Sequence, residues 1–252
     1  MLEKSNDAHI WYLYHSGFAV KTSNHFLIFD YYRDNPNEEK RYRGEGVLNL
    51  PEAENPDVII FASHGHSDHF NPVIFEWGKS TNNIEYVLSQ DIKAGTNRKN
   101  VMLVRQGNNY SLKGVNIQVL GSTDIGVSFL VDCDGIVIFH AGDLNWWHWK
   151  GEPVDENNAM AENYKKQIDL LRGKQVDIAF IPVDWRLEEY YILGLDYFMT
   201  AVGAKMVFPM HFGKDYSVFK WLKKEPRAEG YINRIAEITP LNRKFVYSTK
   251  GK

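Results

Sequence analysis

Apolar and polar residues alternate in a pattern dominated by short apolar runs, rich in β-branched and aromatic side chains, that read as strands. They fall at Ile10 to Tyr14, Phe18 to Lys21, Phe26 to Phe29, Val58 to Ala62, Tyr86 to Leu88 and Val101 to Val104. Others follow at Val115 to Leu120, Val127 to Val131, Ile136 to Phe139, Ile178 to Val183, Met206 to Phe208 and Phe245 to Tyr247. Helical spacing interrupts them at Asn71 to Trp77, with Asn71 as N-cap and Pro72 in the first turn, and at Asn157 to Arg172, Tyr190 to Val202 and Val218 to Lys224. A strand meander followed by alternation of strand and helix predicts an α/β fold in which sheets carry helices on their outer faces, the αββα sandwich type of layering. No internal repeat, low-complexity tract or linker divides the chain, so one domain over residues 1–252 is expected. The long polar stretch Arg33 to Pro56 reads as a loop within it, of the kind that covers or binds.

With 44% hydrophobic and 24% charged residues, the 252-residue chain has globular composition. The balance of 29 Lys and Arg against 32 Asp and Glu leaves a net charge of −3, with no broad positive field to gather nucleic acid. The partner expected is therefore a small-molecule substrate; oligomeric state is not legible. The single cysteine, Cys133, lies between Asp132 and Asp134, which disfavours a thiolate, and it allows no disulfide within the chain. The polar start, without the long apolar stretch of a signal peptide, and apolar runs no longer than a strand predict a soluble, cytoplasmic protein with no membrane span.

The strongest chemical signal is His64-Gly65-His66-Ser67-Asp68-His69, between the strand Val58 to Ala62 and the helix opening at Asn71. On extended backbone, residues two apart project to one side, so His64 and His66 offer two imidazoles to one cation. The chain then turns and sends Asp68 and His69 toward a second position, with Gly65 allowing a tight bend between ligands. Imidazole with carboxylate and no thiolate suits Zn²⁺ best, with Mn²⁺ and Fe²⁺ as alternatives.

This HxHxDH string after a strand resembles the signature of the metallo-β-lactamase superfamily, and the resemblance continues along the chain. Asp30, closing Leu27-Ile28-Phe29-Asp30, matches the family aspartate that orients the histidine loop from behind the ligands. Asp143 in His140-Ala141-Gly142-Asp143 matches the carboxylate that bridges two metals, and His211 in Phe208-Pro209-Met210-His211 matches the last histidine, a ligand of the second metal. Tyr14 to Phe18 and His140 to Asp143 resemble the branch of metal-dependent hydrolases near ascorbate-6-phosphate lactonase. The resemblance implies a four-layer αββα sandwich. It also implies one site of His64, His66 and Asp143 and another of Asp68, His69, Asp143 and His211.

Relatives in that branch carry a further histidine after a mid-chain strand, where this chain reads Val119-Leu120-Gly121-Ser122-Thr123-Asp124. Asp124 or His140 could replace it, water or substrate could fill the position, or one ion alone could bind tightly. His140 is read as lying behind the ligands. Three tryptophans in Asn145-Trp146-Trp147-His148-Trp149 leave directly from Asp143, and Trp146, Trp147 and His148 are read as a substrate-binding wall suited to a ring or acyl group. His15 reads as an ordinary hydrogen-bonded residue near the site mouth.

No G-x-S-x-G elbow, Walker A string or G-x-G-x-x-G is present. The expectation is a metal-dependent hydrolase that uses metal-bound hydroxide, oriented by Asp68 as catalytic residue, on an ester, lactone or phosphodiester. The alternatives are a non-catalytic metal-binding or ligand-sensing protein of the same fold, motivated by the missing histidine, and a nuclease.

Overall fold

β4 (Asp57–Ala62) buries every residue after its first, as a strand covered on both faces must, and it lies between two parallel neighbours, β3 (His25–Phe29) and β5 (Ile84–Ser89). With β1 (Asp7–Tyr14), β2 (Gly17–Lys21), β6 (Val101–Val104) and β13 (Lys244–Ser248) they form a seven-stranded sheet in the order β13-β1-β2-β3-β4-β5-β6. The pairings from β13 to β3 are antiparallel and those from β3 to β6 parallel.

A second, six-stranded sheet is built to the same plan. An antiparallel meander of β7 (Asn109–Leu112), β8 (Val115–Gly121), β9 (Val127–Cys133) and β10 (Ile136–His140) leads into the parallel strands β11 (Val176–Pro182) and β12 (Ala204–Met210). The helix α1 (Ile74–Trp77) lies in the connection from β4 to β5. α2 (Val154–Asp169) and α3 (Leu193–Ala201) carry the crossovers of the second sheet, and α4 (Ser217–Leu222) follows β12. Two mixed sheets with flanking helices bear out the α/β reading.

The computed structural model describes residues 7–32, 56–78, 83–240 and 242–249. The loop expected over Arg33 to Pro56 therefore lies, up to residue 55, outside the described residues. The chain divides into two compact units, one of Met1–Val104 with Arg243–Lys252 and one of Arg105–Asn242. In the first, Ile74 and Phe75 of α1 pack with Trp11, Phe26, Ile28, Ile60 and Tyr86, and the Tyr86 hydroxyl donates to the Ile74 carbonyl. In the second, Phe139 of β10 stacks on Phe198 of α3. Among the described residues no helix is long and apolar enough to cross a membrane.

Every expected strand forms, and β7 is an additional one. The helices differ more. α1 is one turn shorter at its start: Asn71 accepts from the Val73 amide in a turn ahead of the helix and does not cap it. α2 begins earlier than expected, after Pro153, and Asn157 inside it points back and clamps the Trp149 backbone through N–H and C=O together. Trp185–Tyr190 is 3₁₀ with a kink at Glu188, and α3 starts only at Leu193.

Candidate metal centre

In each unit the chemistry-bearing residues sit just beyond the carboxyl ends of adjacent parallel strands, the place where α/β sheets present ligands. The first unit contributes Asp30 after β3, His64 to His69 after β4 and Asp91 after β5. Asp143 after β10, Asp184 after β11 and His211 after β12 occupy the corresponding places in the second.

Asp30 is the hub of the first set. It is wholly buried and held at φ +46°, a left-handed conformation uncommon for a residue with a side chain. Its Oδ1 accepts the Ser63 amide at 2.7 Å; its Oδ2 accepts the Ser63 hydroxyl and faces Nδ1 of His69, each at 2.7 Å. The Ser63 hydroxyl also lies 2.9 Å from Nδ1 of His64. One hydroxyl has one proton, and an ionised Asp30 can only accept, so Ser63 donates to Asp30 and Nδ1–H of His64 donates to Ser63. Both buried imidazoles are thus tied at Nδ1, directly or through Ser63, and each would coordinate through Nε2.

The remaining residues of the string are more open. The His64 and His66 rings meet edge to face at 4.6 Å between centroids, with His66 exposed, and ligand atoms of these two histidines lie within 4.8 Å of each other. Gly65 lies at a bend, as expected, without a left-handed backbone. Its amide donates to Oδ2 of Asp91 at 2.7 Å, and a Cβ there would stand 3.2 Å from that oxygen, so glycine serves close approach. Asp68 lies 3.5 Å from Nε2 of His15; that polar contact, opposed by partial burial and aided by the charge of His69, holds its carboxyl well below the ordinary range. His15, Asp68 and His69 all bring ligand atoms within 4.8 Å of one another, which places His15 in the cluster although sequence alone gave it no such role.

In the second unit His211 stands between two carboxylates. Its Nε2 is 3.4 Å from Oδ1 of Asp143 and its Nδ1 is 3.0 Å from Oδ2 of Asp184, with the backbone at φ +64°. Asp184 is fully buried, caps the 3₁₀ turn through the Arg186 amide, and receives the Arg186 guanidinium through Nε and Nη2. Burial pushes its carboxyl up, but the His211 and Arg186 hydrogen bonds outweigh this and hold it at about 2. Neither Asp184 nor Ser63 carries a sequence signal of its own; each is recruited by folding.

The tryptophan loop splits. The indole N–H of Trp147 donates to the Asp143 carbonyl at 3.0 Å, and its ring meets His211 edge to face at 5.3 Å. Trp146 turns instead to Tyr164 and Tyr197 under the Lys165 ammonium, 4.4 Å from its ring, and His148 lies against Tyr190. Thr123 and Asn157 tie the loop backbone at Asn145 and Trp149.

His140 is buried, and its Nδ1 accepts from the Gly142 amide at 3.2 Å. A neutral imidazole that accepts at Nδ1 carries its proton on Nε2, so in this arrangement neither nitrogen offers a lone pair to a cation. Asp124 is exposed.

The profile described as "Beta-lactamase superfamily domain" matches residues 9–148, more than half of the chain. Among solved structures, the chain is similar to the metallo hydrolase Igni18 of Ignicoccus hospitalis. The two are 15% identical, with a TM-score of 0.64, over 96% of this chain and 98% of that one. It is also similar to the metallo-β-lactamase fold protein YhfI of Bacillus subtilis, at 12% identity and a TM-score of 0.60, over 96% and 99% of the two chains. At such identities these likenesses show a shared fold. No curated protein matches.

Proposed function

Because the chain belongs to the β-lactamase superfamily, we propose that it is a metal-dependent hydrolase whose ligands are His64, His66, Asp68, His69, Asp143 and His211. The observation that carries this reading is the treatment of the buried histidines. His64, His69 and His211 each have Nδ1 against a side-chain oxygen, of Ser63, Asp30 and Asp184 respectively, as imidazoles do when Nε2 serves a metal. The donor set fits a divalent ion, and zinc suits imidazole and carboxylate best. When bound, such an ion supplies a water of lowered pKa and a Lewis acid for the scissile carbonyl or phosphoryl oxygen.

The protein's own share is to hold these groups ready. Asp30 and Ser63 fix two imidazoles in one orientation, and Asp184 fixes a third. Asp68, held ionised beside His15, is the carboxylate placed to accept a proton from an attacking water. Trp147 and His148 supply a wall for the organic part of a small-molecule substrate. Lactones come first in a screen, because Tyr14 to Phe18 and His140 to Asp143 resemble the ascorbate-6-phosphate lactonase branch; other esters and phosphodiesters follow. The cytoplasm is the compartment we propose.

Elemental analysis of protein purified without chelator, paired with a lactone, ester and phosphodiester panel, tests the reading. His66→Ala and Asp143→Ala are expected to lose both metal and turnover. Metal-free wild type, or turnover undiminished in either variant, would overturn it. The exposed Asp124 and the proton on Nε2 of His140 favour a ligand set one member short, so metal without hydrolysis across the whole panel would support the binding-protein reading instead.

A further inference from the structure

We infer that Asp184 is a positioning residue for His211 and that Arg186 is the clamp that aims it, an inference that rests on the metal reading above. The sequence pattern of the family led to His211 but not to these two residues. The Asp184 side chain lies at the carboxyl end of β11, beside β12, at whose end His211 stands. Its Oδ2 faces Nδ1 of His211 at 3.0 Å, and in that position the carboxylate can only accept, so the imidazole proton sits on Nδ1 and the Nε2 lone pair points to the Asp143 side.

A buried carboxylate with no further partner would be costly and free to rotate. Arg186 removes both problems. Its backbone amide and Nε bond to Oδ1, and Nε and Nη2 bond to Oδ2, a planar fork matched to a carboxylate. The guanidinium carbon in turn lies 5.8 Å from the Trp149 ring centroid, on the loop that leaves Asp143. Two residues apart on a 3₁₀ turn, Asp184 and Arg186 therefore form a rigid bracket behind one ligand. Arg186 is half-exposed as a side chain, yet its Nε and Nη2 reach the fully buried acid.

Nitrogen and proton NMR of the metal-free protein at one fixed pH reads the pairing without any metal. Wild type is expected to show a His211 Nδ1–H signal protected from exchange with water, and Asp184→Leu to lose it. Co²⁺ affinity by chelator competition reads the consequence. Asp184→Asn is expected to weaken binding about 10- to 100-fold and to alter the Co²⁺ absorption spectrum. Arg186→Lys, which keeps the charge and loses the fork, is expected to fall between wild type and Asp184→Asn. Asp184→Asn binding Co²⁺ as tightly as wild type, or a His211 Nδ1–H signal unchanged in Asp184→Leu, would overturn the role of Asp184; wild-type affinity in Arg186→Lys would overturn that of Arg186. If wild type binds no Co²⁺, the metal reading fails, whereas the NMR signal still decides whether Asp184 holds the His211 proton.

Discussion

Oδ2 of Asp30 meets Nδ1 of His69 across 2.7 Å, and both side chains are shut off from solvent. Removing the acid leaves the imidazole, the Ser63 amide and the Ser63 hydroxyl without their common acceptor. Leaving buried donors without their acceptor costs about 1–3 kcal/mol each, so Asp30→Ala is expected to lower the unfolding free energy of metal-free protein by at least that much and to shift its urea midpoint downward. Asp30→Asn keeps an acceptor and should cost less. Equal midpoints for Asp30→Ala and wild type would mean that the buried network contributes nothing to folding.

Ser63 separates the two histidines. His69 reaches Asp30 directly, whereas His64 reaches it through the serine hydroxyl. Ser63→Ala is therefore expected to cost roughly 1–3 kcal/mol for the bonds lost and to free the Nδ1 proton of His64 while leaving that of His69 in place. NMR of the two imidazoles distinguishes them. A change at both, or at neither, would be inconsistent with the relay.

Much of the fold was legible because its signal is local. The strand β4 reads as an apolar run since both its faces are covered, and the continuous burial of β11 has the same origin. β7 was not legible: in Asn-Tyr-Ser-Leu the alternating residues are exposed, and the strand exists because it pairs with β8 at the edge of the sheet. The start of α2 was misplaced at Asn157, which lies inside the helix with its side chain engaged by the tryptophan loop. In the candidate site, the histidine string, Asp30, Asp143 and His211 stood out by type and spacing. Ser63, Asp91 and Asp184 did not, because each acts on a residue far along the chain, 33 positions for Ser63 with Asp30 and 27 for Asp184 with His211. Their chemistry is ordinary until folding brings the partner.

Trp147 joins the two proposed ligands of the second unit, bonding the Asp143 carbonyl and facing the His211 ring. Its fluorescence is expected to report metal. Adding Zn²⁺ to stripped protein should change the emission, a chelator should reverse the change, and Trp147→Phe should abolish most of it while costing about 1 kcal/mol for the lost indole hydrogen bond. A full-sized signal in Trp147→Phe would assign the report to another tryptophan.

Alkaline pH should weaken the second unit through three tyrosines. Tyr164 donates to the Gly194 carbonyl at 2.7 Å from a fully buried position, and Tyr231 donates to Asp196 at 3.0 Å. Burial pushes both phenols well above the ordinary range and pushes Tyr191 up to about 12. The unfolded chain releases these protons near pH 10 while the folded chain still holds them, so stability is unaffected below about pH 10 and falls as pH rises from there toward about 12. Tyr164→Phe removes one of the three groups: it should be about 1 kcal/mol less stable at neutral pH and lose less additional stability on the way to alkaline pH. Thermal melts followed alongside phenolate absorbance test this. Phenolate appearing well before the structure melts would show that the tyrosines titrate in the folded state, contrary to the burial that sets their pKa values.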